Sequence, residues 1–319
     1  MIQKMASAAM LTLRKRGMGP FFKAIYGQLL HVIWIRVLKK RYFRKRIYNF
    51  QMDLDLDDKG LSRTLMLFGE RELDHKLLLE EVCKAGMKVL DIGANIGYYA
   101  LMELELIGPT GKLFAIEPSP SNVALLERNL KLNNVRSQVE VRCNAVSNRR
   151  AKQKFFLSEK SNLNTFHIDH LPDEKKKEYR PIEVESITIQ DVVADWGKFD
   201  ILRMDVEGHE VEILESLHRL VTENVVRPII VFETHINRYK KDGKFGKTLC
   251  AFADSGYRFD YVASSSIRGS DTLTQAGYKL EREVLTDEYR RGIFCDVGCD
   301  DAVRIITETG GIRTVVLAP

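Results

Sequence analysis

Four titratable side chains follow two short apolar runs of the chain, at positions where they could handle a proton. One run ends in Asp205, with Glu207 two residues on, and the other ends in Glu233, with His235 two residues on. A carboxylate or an imidazole within hydrogen-bond reach of a hydroxyl can accept its proton during a reaction. We therefore predict that Asp205 is the general base, that Glu207 and His235 support it, and that Glu233 contacts the substrate.

The same four side chains are also of the types that can ligate a divalent cation. No dedicated ligand spacing accompanies them in the sequence. We expect a hydrogen-bonded cluster that holds no metal, and a divalent cation site is the alternative. An acidic helix start would explain Glu207 without any chemistry, because carboxylates are favourable at a helix N-terminus. It explains Asp205 less well, because Asp205 still belongs to the apolar run.

A glycine turn indicates a bound cofactor. From Val89 to Gly97 the chain reads Val-Leu-Asp-Ile-Gly-Ala-Asn-Ile-Gly, an apolar run that enters a turn before a helical pattern begins. Glycine allows the backbone to approach a ligand closely. The dinucleotide fingerprint G-x-G-x-x-G is not matched, because Asn95 and Tyr98 occupy its second and third glycine positions. The turn therefore favours an adenosyl cofactor without phosphates. The cofactor contacts predicted in it are Asp91, Gly93, Asn95 and Gly97.

A carboxylate follows the next apolar run at the distance expected for a ribose contact. Glu117 lies 20 residues after Gly97, and an acid at about that distance beyond the glycine turn hydrogen-bonds ribose hydroxyls in this kind of fold. Its two oxygens suit a vicinal diol. Pro118 follows it, and Asn144 and Ala145 end the third run, where an adenine could pack. We predict cofactor contacts at these four positions.

These residues need a sheet that brings the ends of several strands together. From Met87 onward, short apolar runs alternate with helical patterns, which is typical of βαβ units and a parallel sheet. The predicted strands are Lys88–Ile92, Lys112–Ile116, Val139–Asn144, Ile201–Asp205, Ile229–Glu233, Tyr257–Val262 and Gly292–Val297. A polar stretch over 155–190 interrupts the alternation. We predict an α/β fold with a doubly wound, mostly parallel, seven-stranded sheet in a domain over 87–319.

The amino-terminal part of the chain differs in charge from the rest. Residues 1–52 contain twelve Lys or Arg and no Asp or Glu, in a chain whose net charge is +5. Apolar residues recur at helical spacing between Phe21 and Leu38, but interrupting charges leave this stretch short of the about 20 apolar residues that span a membrane. We predict a basic amphipathic helical arm over 1–46, followed by a lead-in strand and helix over 47–86.

Three roles are open for this arm. It could bind an anionic membrane surface, grip the phosphates of a nucleic acid, or pack on the body of the protein. Packing alone does not explain why every charge is positive, and the acidic remainder of the chain argues against nucleic acid. The five scattered cysteines suit the reduced thiols of a cytosolic protein. We expect a cytoplasmic protein held peripherally on the cytoplasmic membrane face, and the sequence does not indicate its oligomeric state.

Together these motifs resemble the FkbM family of S-adenosylmethionine-dependent methyltransferases. The segments that carry the resemblance are Leu90–Tyr99, Ile116–Pro120, Arg203–Glu210 and Val231–Glu233. The resemblance spans residues 65–262. The donor motif alone would indicate only the broad methyltransferase superfamily, whereas the Asp-Val-Glu-Gly element that starts at Asp205 is typical of this family. It implies a Rossmann-like class I methyltransferase fold, S-adenosylmethionine as cofactor, and methylation of a hydroxyl.

The resemblance also implies further substrate contacts. The family carries a glycine and a glutamate upstream of the donor motif, matched here by Gly69–Glu72, and a central polar segment, matched by Ser161–Thr165. On this basis we predict substrate contacts at Glu72, Ser161 and Asn162. The acceptor that the resemblance implies is a hydroxyl of a glycan, a glycolipid or a related sugar-containing or lipid-linked molecule.

Two other functions are open at this point. A nucleic-acid methyltransferase could use the basic arm to grip phosphates. A non-catalytic binding module could retain the cofactor fold, but the intact set of Asp91, Glu117, Asp205 and Glu207 argues against that.

Overall fold

The computed structural model describes residues 18–169, 171–239 and 242–319. Before the main sheet, the chain forms helices and a hairpin. These elements are α1 (Met18–Arg36), β1 (Tyr42–Ile47), β2 (Phe50–Asp55), α2 (Leu61–Phe68) and α3 (Leu73–Val82). The strands β1 and β2 pair antiparallel, with a turn at Tyr48 whose φ is 50°. The single lead-in strand predicted from residue 47 is therefore the second half of a hairpin.

The hairpin also shortens the predicted basic arm. Arg41 forms an ion pair with Asp55, and Arg44 forms one with Asp53 across the hairpin. The Lys45 ammonium donates to the carbonyl of Leu65 at the C-terminus of α2, at 3.0 Å. The arm predicted over 1–46 thus ends before β1, and its residues 1–17 lie outside the described residues. None of the helices in the described ranges is long and apolar enough to cross a membrane.

Within the described residues, nine strands form the main sheet. They are β3 (Lys88–Ile92), β4 (Lys112–Ile116), β5 (Val139–Arg142), β9 (Ile201–Met204), β10 (Ile229–Glu233), β11 (Arg258–Ser264), β12 (Leu280–Thr286), β13 (Tyr289–Val297) and β14 (Ile312–Ala318). Their order across the sheet is β12-β13-β11-β14-β10-β9-β3-β4-β5. The five strands from β5 to β10 are parallel, and β14 runs antiparallel to β10. The predicted doubly wound, mostly parallel α/β sheet is confirmed.

Helices cover both faces of this sheet. They are α4 (Tyr98–Ile107), α5 (Pro120–Leu132), α7 (Ile189–Trp196), α8 (Glu210–Thr222), α9 (Lys244–Asp254), α10 (Ile267–Gln275) and α11 (Cys299–Arg304). Neighbouring residues of β3 point to opposite faces, as the pleat requires. Val89 belongs to the apolar cluster that contains α4 and α5, and Leu90 to the cluster that contains α7, α8 and α9. Both faces of the central strands are therefore buried, which explains their uninterrupted apolar runs.

The sheet that we predicted with seven strands has nine within the described residues, and two of them were not predicted. They are β12 and β14, which follow polar or helix-like stretches of sequence. A second region that the sequence showed only as polar, 155–190, contributes to a three-stranded side sheet. Its strands are β6 (Ala145–Val146), β7 (Ala151–Leu157) and β8 (Arg180–Ile187), in the order β6-β8-β7, with a short helix α6 (Asp173–Lys176) before β8. The side sheet carries exposed polar residues on one face, which hid its strands in the sequence.

The order of the strands explains where a ligand can bind. Strand β3 lies between β4 and β9, so the chain leaves its carboxyl end in one direction and returns on the other side. In doubly wound sheets this switch point opens a crevice at the carboxyl ends of the strands. The glycine turn after β3, Glu117 after β4 and Asp205 after β9 all lie at this edge.

Candidate active site

A cleft opens to solvent at the switch point, and together with the solvent at its mouth it encloses about 760 Å³. Eleven of the fifteen residues predicted for the site line it. These are Glu72, Gly93, Asn95, Glu117, Pro118, Asn144, Ala145, Ser161, Asn162, Asp205 and Glu207. Asp91, Gly97, Glu233 and His235 lie behind its walls.

The two glycines of the turn serve packing between protein segments. Gly93 has a φ of +81°, and a Cβ there would lie 2.3 Å from the carbonyl oxygen of Asp205. Gly97 has a φ of +91°, and a Cβ there would lie 2.8 Å from Leu126 of α5. We expected both glycines to admit a ligand. The structure shows that Gly93, which lines the cleft, also admits the end of β9, and that Gly97 admits a neighbouring helix, because each approach is too close for a side chain.

Three non-glycine residues of the cleft have left-handed backbone conformations. Glu72, Asn95 and Glu207 have φ values of 50°, 49° and 52°, and all three line the cleft. Such conformations cost about 1–3 kcal/mol each and cluster at functional sites. Since all three residues were predicted for the site on other grounds, their strain supports a site at this position.

Glu117 is held by the glycine turn and by the start of α5. Its Oε2 accepts the backbone N–H of Asn95 at 3.0 Å, and its Oε1 accepts the backbone N–H of Ser119 at 2.9 Å. Ser119 in turn caps α5 by accepting from the backbone N–H of Asn122. Burial raises the pKa of Glu117 to about 7, although these hydrogen bonds oppose the rise. The carboxylate is therefore fixed in place and faces the cleft.

An apolar slot lies beside Glu117. It is formed by Ile116, Pro118, Ala145, Val146 and Phe155. Ala145 is 2% exposed and belongs to the side sheet, whose strand β6 therefore forms one wall of the cleft. The neighbouring Asn144 donates its side-chain amide to the carbonyl of Glu185 at 3.2 Å. A flat aromatic ring could pack in this slot next to a ribose at Glu117.

Ser161 and Asn162 close the cleft from the side of the polar segment. The Ser161 hydroxyl and its backbone N–H both donate to the carboxylate of Asp58, each at 2.9 Å. The Asn95 side-chain amide donates to the carbonyl of Ser161 at 3.1 Å. The predicted substrate segment and the predicted cofactor turn are thus directly connected.

Arg203 lies beneath the acidic side of the cleft, on the buried strand β9. It is 1% exposed, its guanidinium donates to Asp91 at 3.1 Å, and it lies 3.7 Å from Asp205. The ring of Tyr99 stacks against it, with 4.1 Å between the guanidinium carbon and the ring centre. Asp91 is fully buried and bonded to Arg203. Asp91 can therefore act on a cofactor in the cleft only through Arg203, and not by the direct contact that we predicted.

His235 holds three carboxylates together behind the cleft. Its Nε2 lies 3.6 Å from both Asp205 and Glu207, and its Nδ1 lies 2.9 Å from Glu210. Although burial lowers it, the pKa of His235 is raised to about 10 by Glu207 and Glu210. A protonated imidazole has no lone pair with which to accept a proton. This charge does not suit the supporting base role predicted for His235, and it favours a role in positioning Asp205 and Glu207.

Glu233 and Glu72 share one cation. The Arg313 guanidinium lies 2.7 Å from Glu233 and 2.5 Å from Glu72. The hydroxyl of Tyr99 also donates to Glu72, at 2.6 Å. Although burial raises it, the pKa of Glu72 is held well below its usual range by Arg71 and Arg313. Glu72 therefore presents a negative charge to the cleft, whereas Glu233 anchors it from behind.

The profile of the methyltransferase FkbM domain matches residues 91–259, just over half of the chain. The chain belongs to the FkbM methyltransferase family. The family that we predicted is therefore confirmed, and with it a class I methyltransferase domain of the kind that depends on S-adenosylmethionine.

Two curated methyltransferases are similar in sequence to parts of this chain. Methyltransferase sdnD of Sordaria araneosa is 28% identical over 171 residues, which cover 43% of this chain and 64% of that protein. The protein-L-isoaspartate O-methyltransferase of Methanothrix thermoacetophila is 42% identical over 48 residues, which cover 15% of this chain and 23% of that protein. The chain thus spans less than two thirds of the length of both relatives.

The solved structures are more distant in sequence. The methyltransferase FkbM of Methylobacillus flagellatus is 15% identical, with a TM-score of 0.38 and coverage of 73% of this chain and 52% of that one. The O-methyltransferase of Bacillus cereus, solved with S-adenosylhomocysteine, is 12% identical, with a TM-score of 0.39 and coverage of 77% and 82%. The family assignment rests on the FkbM profile.

Sequence reasoning missed the basic partners of the acidic site in this FkbM methyltransferase. Arg71, Arg203, Arg238 and Arg313 pair with the carboxylates at or behind the cleft. One signal was available for Arg203, because a charged residue inside the apolar strand Ile201–Met204 requires a buried partner. Arg313 follows Glu233 by 80 residues on an unpredicted strand, so no local pattern indicated that pair.

We expect the affinity for S-adenosylhomocysteine to depend on pH through Glu117. Burial raises the pKa of this group to about 7, and only its ionised form can accept two hydrogen bonds from a ribose diol. The affinity should therefore fall as the pH drops below about 7, by up to about tenfold per pH unit. Calorimetric titrations at several pH values check this, and Glu117→Gln should remove the dependence. The same pH profile in both proteins would contradict the assignment.

Proposed function

We propose that the protein is an S-adenosylmethionine-dependent O-methyltransferase that acts on a hydroxyl of a glycan, a glycolipid or a related sugar-containing acceptor. The observation that carries the proposal is the position of Glu117 and Asp205 on opposite sides of one cleft. One carboxylate suits the ribose of a donor, and the other suits the proton of an acceptor. Each follows a parallel strand that pairs with β3.

The residues of the cleft fit an adenosyl group. Glu117 has acceptor oxygens for a ribose diol, and the apolar slot formed by Ile116, Pro118, Ala145, Val146 and Phe155 suits an adenine. The turn has Asn95 and Tyr98 where a dinucleotide site needs its second and third glycines for close approach to a pyrophosphate. It therefore does not favour a pyrophosphate. When bound, S-adenosylmethionine supplies an electrophilic methyl group on a positively charged sulfur.

The acidic side of the cleft fits the handling of a proton. The Asp205 side chain is 16% exposed on the cleft wall, so an acceptor hydroxyl can reach its carboxylate, whose buried Oδ1 has no hydrogen-bond partner within the described part of the chain. Arg203 and the His235 imidazolium flank this carboxylate and keep it in position. As the hydroxyl oxygen is methylated, its proton passes to Asp205. Glu207 is the second candidate, because burial raises its pKa, which improves it as a proton acceptor.

The charges facing the cleft disfavour a polyanionic acceptor. Glu72, Asp205 and Glu207 line the cleft, and the arginines beside them are paired with them or with their neighbours. A nucleic acid brings a phosphate for every nucleotide and needs unpaired cations along its path. A neutral polyol brings hydroxyl donors, which carboxylates bind well. The cleft therefore supports a sugar acceptor over the nucleic-acid alternative.

We expect methyl transfer to continue after treatment with EDTA. Asp205, Glu233 and His235 each place a ligand atom within 4.8 Å of the others, as a metal site would. However, Arg313 pairs with Glu233, and Arg203 flanks Asp205. The protonated His235 has no lone pair for a metal. Turnover measured before and after EDTA tests this, and loss of turnover that Mg²⁺ restores would establish the divalent cation site instead.

Comparative mass spectrometry tests the proposed acceptor. Glycans and lipids extracted from cells that contain the gene are compared with those from cells that lack it. The proposal predicts a glycan or lipid species that is lighter by one methylene in the cells without the gene. Unchanged glycans and lipids together with an altered nucleic-acid species would contradict it.

A further inference from the structure

The helix α1 is held against the body by one side, along which Trp34 and Ile35 pack on the apolar core. Gly27 approaches α2 so closely that a Cβ there would lie 2.9 Å from Leu67. His31 Nε2 lies 3.0 Å from the carbonyl of Leu56, and Arg63 donates to the side chain of Gln28 at 2.8 Å. Polar and apolar side chains of α1 both contact protein on this side, so an ordinary amphipathic helix would leave only polar side chains on the other.

The opposite side of α1 is apolar and faces outward. We call it the outer face, and it continues into the two residues after the helix. Its residues are Met18, Phe22, Ile25, Tyr26, Leu29, Ile33, Val37 and Leu38. These are eight of the twelve large apolar side chains that are exposed in the described ranges. Phe22 and Leu29, near its centre, are 58% and 56% exposed. Contiguous patches of this kind mark interaction sites.

Only cations surround the outer face along the chain. Lys23, Arg36, Lys39 and Lys40 are exposed in and just after α1. Residues 1–17 add four more Lys or Arg, and no Asp or Glu occurs before Asp53. An apolar helix face bordered by cations is typical of helices that lie in the interface of an anionic bilayer. A second copy of the chain would bring the same cations to the contact, and like charges oppose such pairing.

We infer that α1 is an in-plane membrane helix, which inserts its outer face into an anionic lipid surface while its other side stays bound to the body. The helix does not span the bilayer, since none of the described helices is long and apolar enough. Each cation near an anionic leaflet adds about fivefold to binding. The inserted apolar side chains supply the remainder of the affinity.

The position of α1 relative to the cleft also indicates which acceptor the enzyme uses. This conclusion rests on the proposed function. Leu61, at the start of α2, lines the cleft, and Leu67, near the end of α2, contacts α1. Six residues of helix correspond to about 9 Å, and the outer face lies about 10 Å further, across α1. The cleft is therefore within roughly 20 Å of the lipid surface, and a sugar carried on a lipid is the acceptor class that this arrangement favours.

Vesicle binding tests the inference without any measurement of activity. The full-length protein is sedimented with vesicles of phosphatidylcholine and phosphatidylglycerol, and with vesicles of phosphatidylcholine alone. We expect binding to the anionic vesicles that weakens at high salt. Leu29→Asp should reduce it roughly ten- to hundredfold, because a charge replaces an inserted apolar side chain. The matched control is Leu285→Asp on β12, where the leucine is 53% exposed, and it should bind as the wild type does.

Two further measurements make the result decisive. Both variants should bind S-adenosylhomocysteine as the wild type does, which shows that they are folded and separates this inference from the proposed function. Equal vesicle binding by Leu29→Asp and the wild type would overturn the inference, as would equal binding of the wild type to neutral vesicles. So would a dimer in ultracentrifugation that Leu29→Asp dissociates, since the outer face would then be an interface between copies.

Discussion

Replacement of Asp205 by Asn is expected to lower turnover by about 10²- to 10⁴-fold, the contribution of a general base. Asn has the shape of Asp but cannot take up the proton of the acceptor hydroxyl. Asp205 lies on the cleft wall, with Arg203 and His235 beside its carboxylate. Donor binding depends on the other side of the cleft, so the affinity for S-adenosylhomocysteine should stay nearly unchanged. Steady-state kinetics with calorimetry on the same preparation measure both quantities.

The chain offers a matched control at the other end of the same strand. Asp200 precedes β9 and accepts the backbone N–H of Lys88 at 2.8 Å. Asp200→Asn makes the same chemical change and retains an oxygen that can accept this bond, so turnover should remain. If Asp205→Asn keeps full turnover, Asp205 is not the base. Loss of turnover in Glu207→Gln would then assign the proton to Glu207.

Replacement of Glu117 by Ala is expected to weaken the binding of S-adenosylhomocysteine by about 1.5–3 kcal/mol, the range for hydrogen bonds to a charged group. That is roughly ten- to a hundredfold in affinity. The expectation follows from the position of Glu117, which two backbone N–H groups hold against the cleft. Calorimetry measures the change. Glu140→Ala on the neighbouring strand β5, where the side chain is exposed, is the control and should bind normally.

Glu117→Gln addresses the concern that alanine could loosen the turn. Its amide retains an oxygen for one backbone N–H, so the fold should persist while the diol loses a charged acceptor. We expect weaker binding in this variant as well. Undiminished binding in both variants, or tighter binding of NAD than of S-adenosylhomocysteine by the wild type, would contradict the donor site.

The sequence was sufficient for the parts of the fold that depend on local patterns. Buried parallel strands such as Lys88–Ile92 and Ile201–Met204 are apolar throughout, and the helices between them have regular periodicity. The glycine turn and Glu117 lie next to each other in the site because one follows β3 and the other follows β4. Local order along the chain and the rules for doubly wound sheets therefore predict this side of the cleft.

The acidic side of the site depended on contacts that local patterns do not contain. Arg313 lies on β14, which enters the sheet between β10 and β11 from the end of the chain. Its pairing with Glu72 and Glu233 joins residues that are more than 70 positions apart in sequence. The charge of His235 likewise depends on Glu210, a residue that the sequence assigned only to a helix start. Such pairs follow from tertiary packing, so they could not be predicted.

The charges of the arm favoured a membrane surface over the body for its apolar face, but its periodicity did not indicate which residues of α1 contact the body. Its periodicity identifies an apolar face over Phe22–Ile33, and apolar faces usually contact the body. Here Gly27 allows close approach to the body, His31 lies within hydrogen-bond distance of the segment after the hairpin, and Trp34 packs on the core from the same side of the helix. The periodicity of apolar residues indicates that a helix has an apolar face. Tertiary packing decides whether that face contacts the body or solvent.

Transfer of a labelled methyl group tests the central claim most directly. The protein is incubated with S-adenosylmethionine labelled in its methyl group and with separate lipid, glycan and nucleic-acid fractions, and mass spectrometry locates the label. We predict label on a hydroxyl oxygen of a lipid-linked or free glycan, and none when Asp205→Asn replaces the wild type. Label in the nucleic-acid fraction, label on nitrogen or carbon, or no label from a protein that binds S-adenosylhomocysteine would contradict the claim.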